Sequence, residues 1–448
     1  GKLYNKAGLS RALIFNVTTR IVQSAGGILA LLLITHFLNK NEQGYFYTFT
    51  SLLSIQIFFE LGLTNILTQY VAHEAAHLSW KNKHHISGNE YYESRLSSLL
   101  HSAVQLFLVL SVTLFIVLFL CGRIFFSSYN NDLNIDWQVP WLVLSISTAF
   151  LLIFNLFLAI LEGLGKIEEI NKLKLIQQSI NIFLVAFFLF AGLKLLSAGL
   201  ALLISIVITG FILFTNYRRI FINIWQTQIK WRVDFRKEVL PFLFKIALGN
   251  ISGYFIYQII NPVLFATQGP AIAGQMGATL TFLNGILVVS SSWLSTKVAL
   301  FSNFVSLRKF RNLNLVYRKN FIISFFVCSA GIISFVAVIA LLQQFYPQVG
   351  NRFLGILPVI FLGLTQITSV VGNSQAYYLR SFKKEPFFIP SIVIGIVSGI
   401  STVICCKYFG ITAMTFSYFI INGIIGFLWG CAIFRSKAFE WTNTRLSI

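Results

Sequence analysis

Apolar runs of about twenty residues recur along the whole chain, separated by short polar connections that carry most of the Lys and Arg. The hydrocarbon core of a bilayer is about 30 Å thick, and roughly 20 apolar residues of helix cross it. Runs this long and this continuously apolar exceed what one face of a water-soluble helix buries. The pattern predicts about 12 transmembrane helices. In the first half they run Ala12–Leu38, Tyr45–Ala72, Leu96–Cys121, Pro140–Leu161, Leu173–Leu193 and Leu195–Asn216. In the second they run Pro241–Ala266, Ala271–Leu300, Phe321–Gln343, Leu354–Leu379, Phe387–Cys406 and Ile411–Phe434. A longer polar stretch, Tyr217–Glu238, separates six helices from six. The expected fold is therefore an all-α polytopic membrane protein with two six-helix lobes, residues 1–216 and 239–448, around a central cavity. Residues 217–238 form the expected cytoplasmic linker. The lobes share a weak likeness: NEQGYFYTFTSLL (Asn41–Leu53) compares with AGQMGATLTFL (Ala273–Leu283).

Composition agrees. Of 448 residues, 56% are hydrophobic and only 11% charged, and the mean hydropathy is +0.77. A soluble surface needs about 25–35% charge, so no independent soluble domain is expected. The cations are unevenly placed. Connections on one side carry, among others, Lys81, Lys83, Arg95, Lys166, Arg218, Arg219, Arg308, Lys309, Arg380 and Arg435, whereas those on the other hold only Lys40, Arg123, Lys194, Arg352 and Lys407. Cytoplasmic loops retain positive charge, so both termini are expected in the cytoplasm. The net charge of +20 is this topology signal plus attraction to anionic lipid, and calls for no nucleic acid. The five cysteines lie in or beside apolar segments without metal or redox spacing and read as small buried residues.

Charges inside the spans are the candidate functional residues, because each costs at least about 2.5–3.5 kcal/mol at bilayer depth unless it faces a polar interior. Arg20 lies roughly 12 Å into the first helix, and Glu60 near the middle of the second. Lys245 and Lys297 lie nearer the cytoplasmic ends of the seventh and eighth, where snorkelling to headgroups also accounts for them. Polar side chains recur at helical spacing beside these charges. The sets are Asn16, Arg20, Gln23 and Gly27; Gln56, Glu60, Thr64 and Thr68; Asn250, Tyr254, Gln258 and Asn261; and Gln366, Ser369, Asn373 and Tyr377. They read either as the lining of a wet lumen or as interhelical glue. Pro262 is expected to bend the seventh helix. The run HEAAHL (His73–Leu78) contains the H-E-x-x-H pattern of zinc proteases, but it sits at a helix end and lacks an evident third ligand. It is expected to hold no zinc.

Three stretches resemble the polysaccharide-transporter branch of the multidrug/oligosaccharidyl-lipid/polysaccharide flippase superfamily. They are EQGYFYTFTSLLSIQIFFELGL (Glu42–Leu63) with HEAAHL, LEGLGKIEEINKLKLIQQ (Leu161–Gln178), and PFLFKIALGNISGYFIYQIINPVLFATQGPAIAGQMG (Pro241–Gly277) with WLSTK (Trp293–Lys297). The resemblance implies a flippase, not an enzyme, that moves a polyprenyl-pyrophosphate-linked oligosaccharide across the bacterial inner membrane by alternating access. Arg20, Lys245 and Lys297 are then candidates for the pyrophosphate, and Asn16, Gln23, Asn250, Tyr254 and Gln258 for the glycan. Glu60 is the candidate for coupling to H+ or Na+. No cofactor is implied, and membrane lipids are the other expected partners. Two alternatives stay open: a related multidrug or cation exporter, and a membrane glycan polymerase or ligase.

Overall fold

The computed structural model describes residues 22, 26–27, 29–82, 85–129, 135–233, 251–382 and 384–443. The chain is a multi-span helical membrane protein. Nine helices, or ten with one bent pair counted as a single span, are long and apolar enough to cross a membrane among the described residues. The first and seventh predicted helices fall partly outside those residues.

The elements follow in chain order. α1 is Lys40–Leu53 and α2 Leu63–Ala75, followed by a hairpin of β1 (Leu78–Asn82) and β2 (His85–Gly88). α3 (Glu90–Tyr129), α4 (Gln138–Gly163), α5 (Ile167–Phe190) and α6 (Leu196–Gln226) complete the first half. The second half contains α7 (Ile260–Gln268), α8 (Pro270–Ser295), α9 (Val298–Ser306), α10 (Phe310–Phe345), α11 (Ile356–Arg380), α12 (Phe388–Tyr408), α13 (Gly410–Tyr418) and α14 (Gly426–Asn443). A π-helical stretch, Phe419–Ile425, joins α13 to α14.

The residues divide into two compact units. One takes in Leu52–Ile251, and the other Gly27–Ser51 with Ser252–Ile448. Residues 27–51 thus pack with the C-terminal half, and local chemistry explains why. Asn39 and Glu42 cap the start of α1 reciprocally: Asn39 Oδ1 accepts from Glu42 N and Glu42 Oε2 from Asn39 N, both at 2.8 Å. This aims the buried Gln43, whose Nε2 donates to the carbonyls of Gly274 (2.9 Å) and Arg352 (3.1 Å). Gly44 lets the backbones meet: a Cβ there would lie 1.9 Å from the Pro270 carbonyl oxygen. The two segments that looked alike in sequence therefore pack against one another. Burial lowers the pKa of the Arg352 guanidinium in this cluster, and the Glu42 carboxylate opposes the shift.

In the first unit, α3 has 40 residues, about 60 Å of helix and twice the hydrocarbon thickness. Its first turns grip the polar stretch after α6. Ser94 Oγ accepts from the backbone N–H groups of Lys230 and Trp231, both at 2.8 Å, and Ser97 Oγ donates to the Thr227 carbonyl at 3.0 Å. The start of the expected linker is helical as far as Gln226, and the residues beyond it are tied down to Val233.

The second predicted helix is not continuous, which corrects the expectation. After α1 a 3₁₀ turn (Ser54–Gln56) and one α-turn (Ile57–Glu60) lead to Leu61 and Gly62, both left-handed at φ 48° and 81°. The span bends by 41° there. Gly62 adopts this conformation without a Cβ penalty. In the seventh predicted helix the helical pattern is interrupted one turn before Pro262. The helical pattern lapses at Gln258–Ile259, where Ile259 N reaches back five residues to the Tyr254 carbonyl. A proline ring crowds the carbonyl four residues before it, which is that of Gln258.

Candidate functional site

Glu60 is half-buried and ends the α-turn at the break before Leu61. Its Oε1 accepts from Thr64 Oγ1 at 2.5 Å, across the break. Thr68 instead donates to the carbonyls of Thr64 (3.0 Å) and Ala159 (3.2 Å), which ties α2 to α4. The expected single polar face through Gln56, Glu60, Thr64 and Thr68 is thus interrupted at Leu61–Gly62. A left-handed pair resets the helical phase, so spacing counted through it loses its meaning.

In the other unit, Tyr254 is buried and Gln258 half-buried where the helical pattern lapses before Pro262. Asn261, next along, is also buried. Its Nδ2 donates to Ser51 Oγ at 3.2 Å, while its Oδ1 has no hydrogen-bond partner among the described residues. On α11, Gln366 is buried and donates through Nε2 to Asn284 Oδ1 of α8 at 3.1 Å. Ser369 Oγ turns back to the Thr365 carbonyl at 2.8 Å, and Asn373 is exposed. These amides place hydrogen-bonding groups within a largely apolar unit, and the Gln366–Asn284 pair joins α11 to α8.

Lys297 is half-buried in the turn Thr296–Lys297 that separates α8 from α9. Its N–H donates to the Leu294 carbonyl at 2.9 Å, and its carbonyl accepts from Phe301 N at 2.9 Å. Both described candidate charges, Glu60 and Lys297, therefore sit where a membrane helix is interrupted. Arg20, Asn16, Gln23, Lys245 and Asn250 lie outside the described residues. Asn284 and Ser51 escaped the sequence reading. Asn284 carried a signal in being an amide inside an apolar span.

The HEAAHL segment is built around an ion pair. Glu74 has a side chain only 2% exposed, and its Oε1 accepts from Arg95 Nε at 3.0 Å. Arg95 also lies over the Tyr91 ring. His77 stacks on Tyr92 with ring centroids 4.0 Å apart, and His73 is largely exposed. The carboxylate that a zinc hydrolase would use as its base is committed to a guanidinium. Among the described residues, no group of three His, Cys, Asp or Glu side chains is placed to hold a metal.

A sequence profile of the family described as "Polysaccharide biosynthesis protein" matches residues 10–305, more than half of the chain. Similar folds occur in solved structures. Lipid II flippase MurJ in an inward closed conformation aligns with a TM-score of 0.68 at 15% identity, covering 93% of this chain and 86% of that one. An inward-facing multidrug resistance MATE family transporter of the MOP superfamily aligns at 0.65 and 15% identity, covering 95% and 98%. A MOP superfamily transporter from Pyrococcus furiosus, whose binding pocket is described as of reverse polarity, aligns at 0.56 and 16% identity, covering 95% of each chain. None of the curated proteins matches the chain.

Proposed function

For this chain, which belongs to the polysaccharide biosynthesis protein family, we propose a flippase that moves a polyprenyl-pyrophosphate-linked oligosaccharide from the inner to the outer leaflet of the bacterial cytoplasmic membrane by alternating access. The observation that carries this reading is the family match over residues 10–305, made within a fold like those of lipid and drug transporters. The pyrophosphate is the costly part of such a cargo in hydrocarbon, and cations replace its hydration. Arg20, Lys245 and Lys297 take that role in this account. Asn16, Gln23, Asn250, Tyr254 and Gln258 supply hydrogen bonds to the glycan, and Asn261, Asn284 and Gln366 join them. Glu60 is the proposed coupling site for H+ or Na+. Both termini are placed in the cytoplasm on the Lys and Arg asymmetry.

The likeness to multidrug transporters favours one second reading, export of an amphipathic cation. Its cavity should be anionic, whereas the candidate charges here are Arg20, Lys245 and Lys297 against Glu60. Glycan display on cells lacking their own flippase separates the two readings. The wild-type chain should restore display. Arg20→Lys should reduce it, because a point charge lacks the bidentate fork, and Arg20→Ala should reduce it further. Full display with Arg20→Ala, at normal protein level, would remove Arg20 from the pyrophosphate site. Failure of the wild-type chain with every polyprenyl-linked glycan offered, together with resistance to cationic dyes, would favour export.

A further inference from the structure

α4 and α6 leave a groove of about 350 Å³ between them, within the first unit. Phe150 and Phe154 of α4 and Val207, Gly210 and Phe214 of α6 form its walls, and Arg218 also lines it. Phe150, Val207 and Phe214 are each more than half exposed. On membrane-crossing helices exposed apolar side chains such as these face hydrocarbon, so the groove is open to lipid chains. The floor is open at Gly210, where a Cβ would meet nothing within 4 Å. The volume lies at the small end of the ligand-cavity range of about 300–1,000 Å³.

Arg218 distinguishes this groove from ordinary lipid-facing surface. It lies roughly 12 Å along α6 from Gly210 and is exposed. It forms no ion pair with a described carboxylate. An apolar channel ending in a guanidinium with no described carboxylate partner is complementary to an acyl chain ending in a phosphate, and Arg matches two phosphate oxygens at once. Basic pockets between transmembrane helices are known to hold anionic headgroups. Arg218 is the one cation among the described lining residues, which suits the single negative charge of a phosphodiester better than a pyrophosphate.

We propose that the α4–α6 groove binds an anionic diacyl phospholipid, with one acyl chain along Phe150, Phe154 and Phe214 and its phosphodiester on Arg218. The site is separate from the cargo residues named above and does not depend on them.

The test uses the full chain in phosphatidylcholine liposomes doped with phosphatidylglycerol bearing a diazirine in one acyl chain. Photolabelled peptides are mapped by mass spectrometry. Label should concentrate on Phe150–Phe157 and Val207–Phe214, and unlabelled phosphatidylglycerol should compete where added phosphatidylcholine does not. Arg218→Gln should cut this labelling about tenfold, equivalent to roughly 1.4 kcal/mol. Arg218→Lys should retain part of it, and Gly210→Phe should fill the groove and abolish it. The wild-type lipid comparison stands even if a variant folds poorly. Equal labelling by a diazirine phosphatidylcholine, unaffected by Arg218→Gln, would overturn the proposal by making the groove ordinary lipid surface. Preferential displacement by a polyprenyl phosphate would overturn it in favour of a carrier-tail site.

Discussion

Glu60 and Glu74 belong to the same stretch of apolar sequence, yet the fold treats them oppositely. Glu74 is almost wholly buried and held by Arg95 at 3.0 Å. Glu60 is half-buried, and its described side-chain partner is the neutral Thr64. A buried carboxylate paired with a guanidinium has settled its desolvation cost through that partner, and changing its charge would break the pair. Glu60, at a helix break, has no cationic partner among the described residues, which is why it, and not Glu74, is the proposed coupling site. Depth in the sequence pattern alone does not separate these two environments; the described partner does.

The comparison can be broken by substitution. The largest effect is expected at the ion pair. Glu74→Ala leaves Arg95 uncompensated and should cost about 3–5 kcal/mol, seen as loss of folded protein in thermal unfolding of the purified chain. The double change Glu74→Gln with Arg95→Met should recover much of that loss. If Glu74→Ala unfolds like the wild type, the pair does not hold this end of the unit together.

The break itself comes next. Gly62→Ala puts a Cβ on a residue at φ 81° and should cost about 1–2 kcal/mol in the same assay. A neutral or stabilising result would mean that the left-handed conformation at Gly62 is not the working structure. A smaller loss, about 1 kcal/mol, is expected for Thr64→Val, which removes the hydrogen bond to Glu60 while nearly preserving shape. The smallest stability effect belongs to Glu60→Gln, about 0.5 kcal/mol or less. Its consequence should appear in transport instead, as loss of dependence on a proton or sodium gradient. Unchanged gradient dependence in that variant would transfer the coupling role elsewhere.

The spans were legible in the sequence because hydropathy reports membrane crossing directly, and ten of the predicted helices have apolar counterparts among the described elements, the second as a bent pair. What hydropathy missed is polar. The first turns of α3 carry Glu90, Glu93 and Arg95, so a search for apolar runs starts that helix at Leu96. The hairpin Leu78–Gly88 is mostly polar and lies in a connection, where neither helical nor strand periodicity extends far enough to register. Pro262 announced the break in the helix before it, because the clash is encoded in one residue. Leu61–Gly62 did not, because a single Gly in a membrane helix is common and Leu seldom adopts positive φ. The candidate site was legible as a set of residue types. The Gln366–Asn284 and Asn261–Ser51 pairs were not, since each joins positions far apart in the chain.

The central claim concerns cargo, and a leaflet assay with purified protein tests it most directly. Liposomes containing the chain receive a fluorescent polyprenyl-pyrophosphate-linked oligosaccharide on both leaflets, and a membrane-impermeant quencher then reads the outer fraction. The account predicts that the protected half becomes accessible in the presence of the chain and stays protected in empty liposomes. Unlabelled lipid-linked oligosaccharide should compete, and a cationic dye should not. Protection equal to that of empty liposomes, or competition by the dye alone, would contradict it.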